Sequence, residues 1–376
     1  MYVYISMPAM ISKILENDET LEFTLSGVDR SIANALRRTV LSDIQVNAFI
    51  TETFETNQCT IKSNTSRFHN EIIKQRLACI PIMMSDLEKL PGKYVVEVSK
   101  QNNESNSIYV TTEDFKIRNK ETGEYMPREE VQKIFPPNSI TGDYILFVRL
   151  RPKLSPQIPG EELILECEFG VSTARENSMY NVACVCSYGN TIDQEKAMKE
   201  WSTRESEMRA STGVNEEDIE FEKKNFELLD AQRYFVENSY DFKIKGVGMY
   251  DNKQIVRKAC DAAIDKLTNF IAMVDGDQVF IKKGETLSEN MYDITLDNED
   301  YTLGHMLERG LYDKYYTEEK IMNFCGFFKP HPHETYSVVR VGYNMVVDQV
   351  NVRQHINAVL KESIEKFQEI AKVFVE

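Results

Sequence analysis

Residues 29–44, DRSIANALRRTVLSDI, carry the reading from which the fold follows. Ile32, Leu36, Val40 and Ile44 recur at helical spacing while Asn34, Arg37 and Arg38 share another side, so the pattern predicts an amphipathic helix with one apolar and one polar face. Asp29 and Ser31 are both candidate N-caps, because a short side-chain oxygen accepts from the unpaired N–H groups of a first turn. Residues 302–311, TLGHMLERGL, open in register with SIANALRRTV. A capping hydroxyl meets a capping hydroxyl (Ser31, Thr302), a small residue meets a small residue (Ala33, Gly304), and Leu36 and Arg38 meet Leu307 and Arg309. A repeat is therefore expected.

Working outward, Leu21, Phe23 and Leu25 alternate with Glu22 and Thr24, which predicts a strand pair within 11–25 that Gly27 ends. Alternation returns over 49–60, and a second helix is expected through His69, Ile72, Ile73, Arg76 and Leu77, stopped by Pro81. KYVVEV, NSIYVTT, YILFVRL and ELILECEFGV make residues 92–170 a β-rich module. Residues 190–228 are heavily charged, with a thin apolar stripe of Ala197, Met198, Trp201 and Met208, and read as a solvated peripheral helix. A long helix runs from Gln254 through Ile255, Ala259, Cys260, Ala263, Ile264, Leu267, Phe270 and Ile271 until Asp275-Gly276-Asp277 breaks it. A possible short strand and the polar residues 282–290 follow as a linker. Strand MYDITL, a helix, strand VVRVGYNMVV and a closing helix striped by Ile356, Val359, Leu360, Phe367, Ile370, Ala371 and Phe374 complete the chain.

These patterns predict an α+β fold of two similar units, each an antiparallel sheet plus two helices. Neither unit can bury its apolar stripe alone, so the two are expected to pack about a pseudo-two-fold axis as an intramolecular pseudo-dimer. The first would be discontinuous, 1–50 and 166–275, with a β-rich insert at 51–165; 276–290 would be the linker and 291–376 the second unit. Ile32, Leu36, Val40, Ile264, Leu267, Leu303, Leu307, Leu360 and Phe367 are the expected pseudo-dimer core.

The bulk properties exclude several classes of function. Of 376 residues, 42% are hydrophobic and 28% charged, and 44 Lys and Arg against 60 Asp and Glu leave a net charge of −16. Such a surface repels a phosphate backbone, and only the pairs Arg37-Arg38, Lys223-Lys224 and Lys282-Lys283 concentrate positive charge. A protein that binds nucleic acid directly is therefore the weaker reading of this chain. No apolar run approaches the roughly 18 residues that span a bilayer, and MYVYISMPAMI lacks the basic start of a signal peptide. Seven scattered cysteines suit a reduced, intracellular setting better than a disulfide framework. No phosphate loop, nucleophile elbow or metalloprotease helix occurs, and Gly246-Val247-Gly248 is too short for a cofactor fingerprint. No catalytic, cofactor or metal site is expected. Cys184 and Cys186 read as core thiols on one strand, and His331 and His333 as members of a Pro-rich turn.

The helix at 29–44, together with NTSRFHNEIIKQRLACIPI (64–82), resembles the signature of the third-largest subunit of eukaryotic RNA polymerase II, its archaeal counterpart and the bacterial α-subunit N-terminal domain. DNEDYTLGHMLERGL (297–311) with GFFKPHPHETYSVVRV (326–341) is similar to the eleventh subunit of the same polymerase and its own archaeal counterpart. The resemblance implies a non-catalytic assembly platform of a DNA-directed RNA polymerase, on which the two largest, catalytic subunits and small polymerase subunits dock. DNA and RNA would be met only through the complex. Asn34, Arg37 and Arg38 match the polar face of the family's first helix, and Asn64, Ser66, Glu71 and Arg76 its second signature; both are implied to face partners. Without the resemblance, Arg37 and Arg38 read as solvated. Two subunits in one chain is an arrangement similar to the polymerases of large cytoplasmic DNA viruses, which implies a viral protein of host cytoplasm and virion. Family members that hold zinc or an iron–sulfur cluster in the insert use cysteines there, whereas this chain has none between Cys79 and Cys167.

Overall fold

The protein is described from a computed structural model over residues 8–17, 19–153, 155, 157–211, 215–283 and 290–374. The chain begins with β1 (Met10–Glu16), β2 (Leu21–Ser26), α1 (Arg30–Ser42), β3 (Gln45–Ala48), β4 (Cys59–Asn64) and α2 (Asn70–Ala78). Next come β5 (Tyr94–Gln101), β6 (Ile108–Thr111), β7 (Lys116–Asn119), α3 (Arg128–Ile134), β8 (Leu146–Leu150), β9 (Glu162–Glu168) and β10 (Gly170–Thr173). These are followed by β11 (Ala183–Ile192), α4 (Gln194–Ala210), α5 (Glu216–Leu228), β12 (Phe235–Gly246) and α6 (Asn252–Asp275). The chain ends with β13 (Ile281–Lys283), β14 (Met291–Asp297), α7 (Tyr301–Leu311), β15 (Met322–Phe328), β16 (Tyr336–Tyr343) and α8 (Gln349–Val373). This mixed α+β fold divides into two compact units, one from 1–40, 185–245 and 252–376, the other from 41–184 and 246–251.

The first unit contains the repeat as topology. Its two four-stranded sheets have strand orders β1-β2-β12-β11 and β13-β14-β16-β15, which are the same order once the strands of each half are counted. In both halves a shorter helix (α1, α7) follows the second strand and a long helix (α6, α8) follows the fourth. The offset that carries Ser31 to Thr302 also carries Glu22 to Asp293, and each acid faces a base in register: Glu22 opposite Lys243, Asp293 opposite Arg340. Those ion pairs measure 2.8 and 2.6 Å. Part of the expected linker is structural, since Ile281 is buried and β13 pairs with β14 at the sheet edge. Residues 284–289 of that linker lie outside the described residues.

Apolar periodicity buries this unit's core. Phe23 and Phe242, opposed in register, stack at 5.1 Å, Tyr188 extends the row at 5.3 Å, and Phe374 meets Phe23 edge-on at 5.3 Å. Helices α6 and α8 pack together, burying Ile255, Ala259, Ala263, Leu267 and Phe270 from one and Ile356, Val359, Leu360 and Phe367 from the other. Ile32, Leu36, Val40, Leu303 and Leu307 are buried too, whereas Ile264 is only half-buried because α6's inward stripe runs through Ala263 and Leu267 and leaves it at the flank. Glycine lets α7 approach both neighbours: a Cβ on Gly304 would stand 2.0 Å from the Phe327 ring, and one on Gly310 would stand 2.1 Å from a Val359 methyl. Past Leu311 the helix widens into a π-helical turn, Tyr312–Glu318.

The charged segment at 190–228 is two helices rather than one solvated helix. Asp193 caps α4 and Asn215 caps α5, while Trp201 packs on Phe226 at 5.6 Å beside buried Ala197 and Ala231. Arg204 clamps the pair through Asp230 at 2.7 Å. Residues 212–214 lie outside the described residues.

The second unit has antiparallel sheets ordered β4-β9-β5-β7, β6-β8 and β10-β3 around Phe49, Phe115, Phe135, Phe147 and Phe169. Two sequence readings change here. ELILECEFGV is not one strand: β9 pairs with β4 and β5, the chain turns at Phe169, and β10 pairs with β3. The alternation over 49–60 is a turn flanked by β3 and β4, with Thr53 at φ 52° and its hydroxyl 2.7 Å from that of Thr56. β7 and α3 are too short for periodicity to mark them.

Candidate functional site

In the first unit, α1 starts at a carboxylate. Asp29 Oδ1 accepts the Ser31 N–H at 2.7 Å, and Asp300 Oδ1 accepts the Thr302 N–H at 3.0 Å. The caps are thus these two aspartates: of the two candidates at α1, Asp29 is the cap and Ser31 is not, and at α7 Asp300 caps in place of the expected Thr302. Both hydroxyl residues sit one step inside their helices, and the Ser31 hydroxyl donates to Asp29. A carboxylate suits the position better, because its charge also meets the positive end of the helix dipole.

The polar face of α1 is tied down within the chain. Arg37 directs Nε and Nη2 to Asn34 Oδ1 at 3.0 and 2.9 Å, which stiffens a half-buried fork without consuming its remaining donors. Arg38 Nη2 reaches Asp300 Oδ2 at 2.9 Å, joining the first repeat to the cap of α7. Two lysines make a reciprocal pattern. Lys266 of α6 meets Glu299, just before α7, at 2.7 Å. Lys366 of α8 stands 3.9 Å from Asp29, just before α1.

The second group of expected partner residues lies in the second unit. Asn64 Oδ1 accepts from the Ser66 N–H at 3.0 Å and the Ser66 hydroxyl at 2.7 Å, and Asn64 Nδ2 donates to Phe68 O and Asn70 Oδ1. These bonds shape the turn into α2. Arg76 sends Nε to Phe147 O at 2.7 Å and Nη2 to Leu146 O at 2.9 Å, fastening α2 to β8. Glu71 projects outward with its side chain 93% exposed. Both groups can bind and position, and neither brings a nucleophile to a base. The contacts of Arg38, Lys266 and Lys366 were absent from the sequence reading, although acids in register before Ser31 and Thr302 were a visible signal.

The cysteine and histidine candidates separate. On β11, Cys186 is buried and burial pushes its thiol up to about 12, but Cys184 is exposed and does not join the core. His331 and His333 sit exposed in the turn after β15, where His331 Nδ1 accepts the His333 N–H at 3.1 Å. His355 was not singled out, yet it is half-buried, 2.9 Å from the Tyr343 hydroxyl and 4.2 Å from the Tyr315 ring. Burial, then the nearby Lys314 charge, pulls its pKa below the ordinary value. The fold therefore favours neutral His355. Stability should hold above about pH 6.5 and fall as pH drops below it towards the folded-state value, because the unfolded chain then binds the extra proton. Urea midpoints on either side of that pH should show the fall, and His355→Gln should shrink it; an unchanged pH dependence in that variant would remove His355 as the cause.

Sequence comparison matches residues 22–267 to the model of the RNA polymerase Rpb3/Rpb11 dimerisation domain. The chain belongs to this family. It is similar to the DNA-directed RNA polymerases I and III subunit rpac1 of Dictyostelium discoideum, 26% identical over 194 residues, which are 47% of this chain and 51% of the relative. RPAC1 of Mus musculus is 24% identical over 197 residues, 46% of this chain and 51% of the relative. The DNA-directed RNA polymerase subunit Rpo3 of Thermococcus kodakarensis is 42% identical over 71 residues, 19% of this chain and 25% of the relative. The chain thus spans about half the length of the first of these relatives. The Rpb3/Rpb11 match takes in α1, α2 and most of α6; the second repeat, β13 to α8, lies beyond it and repeats the strand order of the first.

Proposed function

We propose that this member of the Rpb3/Rpb11 family is an assembly-platform subunit of a multisubunit DNA-directed RNA polymerase, with no catalysis of its own. It unites a third-subunit-like half and an eleventh-subunit-like half, paired about a pseudo-two-fold axis. The observation that carries this reading is the repeated strand order, in a chain whose first repeat matches a dimerisation domain. Packing of α6 on α8 and the reciprocal Lys266–Glu299 and Lys366–Asp29 contacts support the pairing.

On this reading the polar residues divide their work. Arg38 joins the two halves through Asp300, while the Asn34–Arg37 fork and Glu71 are offered to the two large catalytic subunits. Arginine suits such a contact, since its planar fork grips carboxylates and carbonyls at a desolvated interface. Small polymerase subunits complete the partners, and nucleic acid is met only through them. A viral source and a cytoplasmic setting belong to the same reading and rest on the likeness of the fused arrangement.

Two measurements test it. Mass spectrometry of what co-purifies with the native protein should find the two largest polymerase subunits, and their absence would overturn the platform. A protease site placed between residues 283 and 290 should, once cut, leave two fragments that co-elute without denaturant. The cut falls between β13 and β14, so strand pairing and the α6–α8 seam both span it; separation on gel filtration would refute the paired halves.

A further inference from the structure

Cys59 and Cys167 face each other across the antiparallel pair of β4 and β9. The ladder bonds around them settle the kind of pairing. The Cys59 N–H goes to Asn57 Oδ1 at 3.1 Å instead of across the sheet, and the neighbouring Glu168 N–H goes to Gln58 O at 3.1 Å. Cys59 and Cys167 therefore occupy a non-hydrogen-bonded position, where opposed Cα atoms lie about 4.5 Å apart and side chains are closest. That separation lies within the roughly 4.4–6.8 Å that a disulfide spans. Both side chains turn into the core of the second unit, 1% and 0% exposed. The Cys167 thiol donates to Glu168 O at 3.4 Å. The two neighbouring thiols perturb each other, Cys167 lowering the pKa of Cys59, while Cys59 and burial raise that of Cys167.

Access comes from the edge. β4 is the outermost strand of its sheet, and Cys59 is its first residue, next to the turn at 51–58. Fraying of that end exposes Cys59 while β9 stays paired with β5, where Val96 lies opposite Cys167.

We propose that Cys59 and Cys167 are a covalent modification site, closing to a cross-strand disulfide in exchange with a small-molecule disulfide. The Cys59 thiolate attacks one sulfur of the reagent, whose S–S bond breaks and whose other half leaves as a thiolate and is protonated. The Cys167 thiol then gives up its proton and attacks the Cys59 sulfur of the mixed disulfide, expelling the second reagent thiol. Two protein thiols are oxidised and one reagent disulfide is reduced to two thiols. The link would pin the edge strand that leads into the Asn64–Ser66 turn.

The test uses the full chain and oxidised glutathione, in buffer and in urea below the unfolding transition, followed by alkylation in denaturant and peptide mapping. The expected result is a peptide joining residues 59 and 167, with both thiols lost to alkylation together. The melting temperature should rise on the order of 5–10 °C, because the link closes a long loop, and dithiothreitol should reverse the rise. Cys59→Ser should show neither change; if that variant fails to fold, mapping of the unsubstituted chain decides alone. Persistence of both free thiols in both conditions, a stable glutathione adduct without the link, or pairing of either residue with Cys79 would overturn the proposal.

Discussion

Phe367→Ala is expected to lower the unfolding free energy by about 3–5 kcal/mol, the range for truncating a fully enclosed phenylalanine. Phe367 lies on the buried stripe of α8, 0% exposed, on a helix that packs along α6. Truncation removes its transfer free energy and leaves a cavity that two long helices, held along their length by neighbouring side chains, cannot close. Urea unfolding should show a lower midpoint at unchanged slope. Exposed Glu365, two residues away, supplies the control: Glu365→Ala should change stability by less than about 0.5 kcal/mol. A loss under about 1 kcal/mol for Phe367→Ala would mean that the seam is not close-packed.

Gly160→Ala should be comparably severe, for a different reason. A Cβ there would fall 1.7 Å from the backbone oxygen of Asn102 and 2.8 Å from its carbonyl carbon. Asn102 cannot yield. It is 0% exposed, its N–H is bonded to Glu161 O at 2.9 Å, and its side chain donates to Asn106 O and Leu150 O while accepting from the Glu104 N–H. One methyl group must displace a junction of several buried hydrogen bonds, and a cost of about 3 kcal/mol is expected, at the upper end for overpacking. Hydrogen exchange should show lost protection in β5, β8 and β9. Gly304→Ala should cost less despite a similar approach, because its obstacle is the Phe327 ring, which is partly exposed and can turn. If the order of the two glycine variants were reversed, the backbone argument would fail.

Both residues mark how far the sequence reaches. Phe367 is legible, since the closing helix repeats its apolar residues at helical spacing and their burial follows. Gly160 is not, because nothing local tells a glycine in a loop from a glycine pressed against a carbonyl far away in the chain.

The same division runs through the candidate site. Sequence alone determined the helices α1, α2, α6, α7 and α8, the β-rich middle, most of the core and the repeat from Ser31 to Thr302, because periodicity is a property of neighbouring residues. Tertiary structure decided everything that depends on register or on contacts between distant residues. Arg38 read as solvated from its pattern and as partner-facing from the resemblance, and the group it meets within the chain, Asp300, is 262 residues away. ELILECEFGV looked like one strand, and only the choice of partners splits it between two sheets. Cys59 and Cys167 looked like scattered thiols until strand register set them face to face. In the opening helix the apolar residues announce their own burial, whereas the fate of each polar side chain is fixed by what the fold brings opposite it.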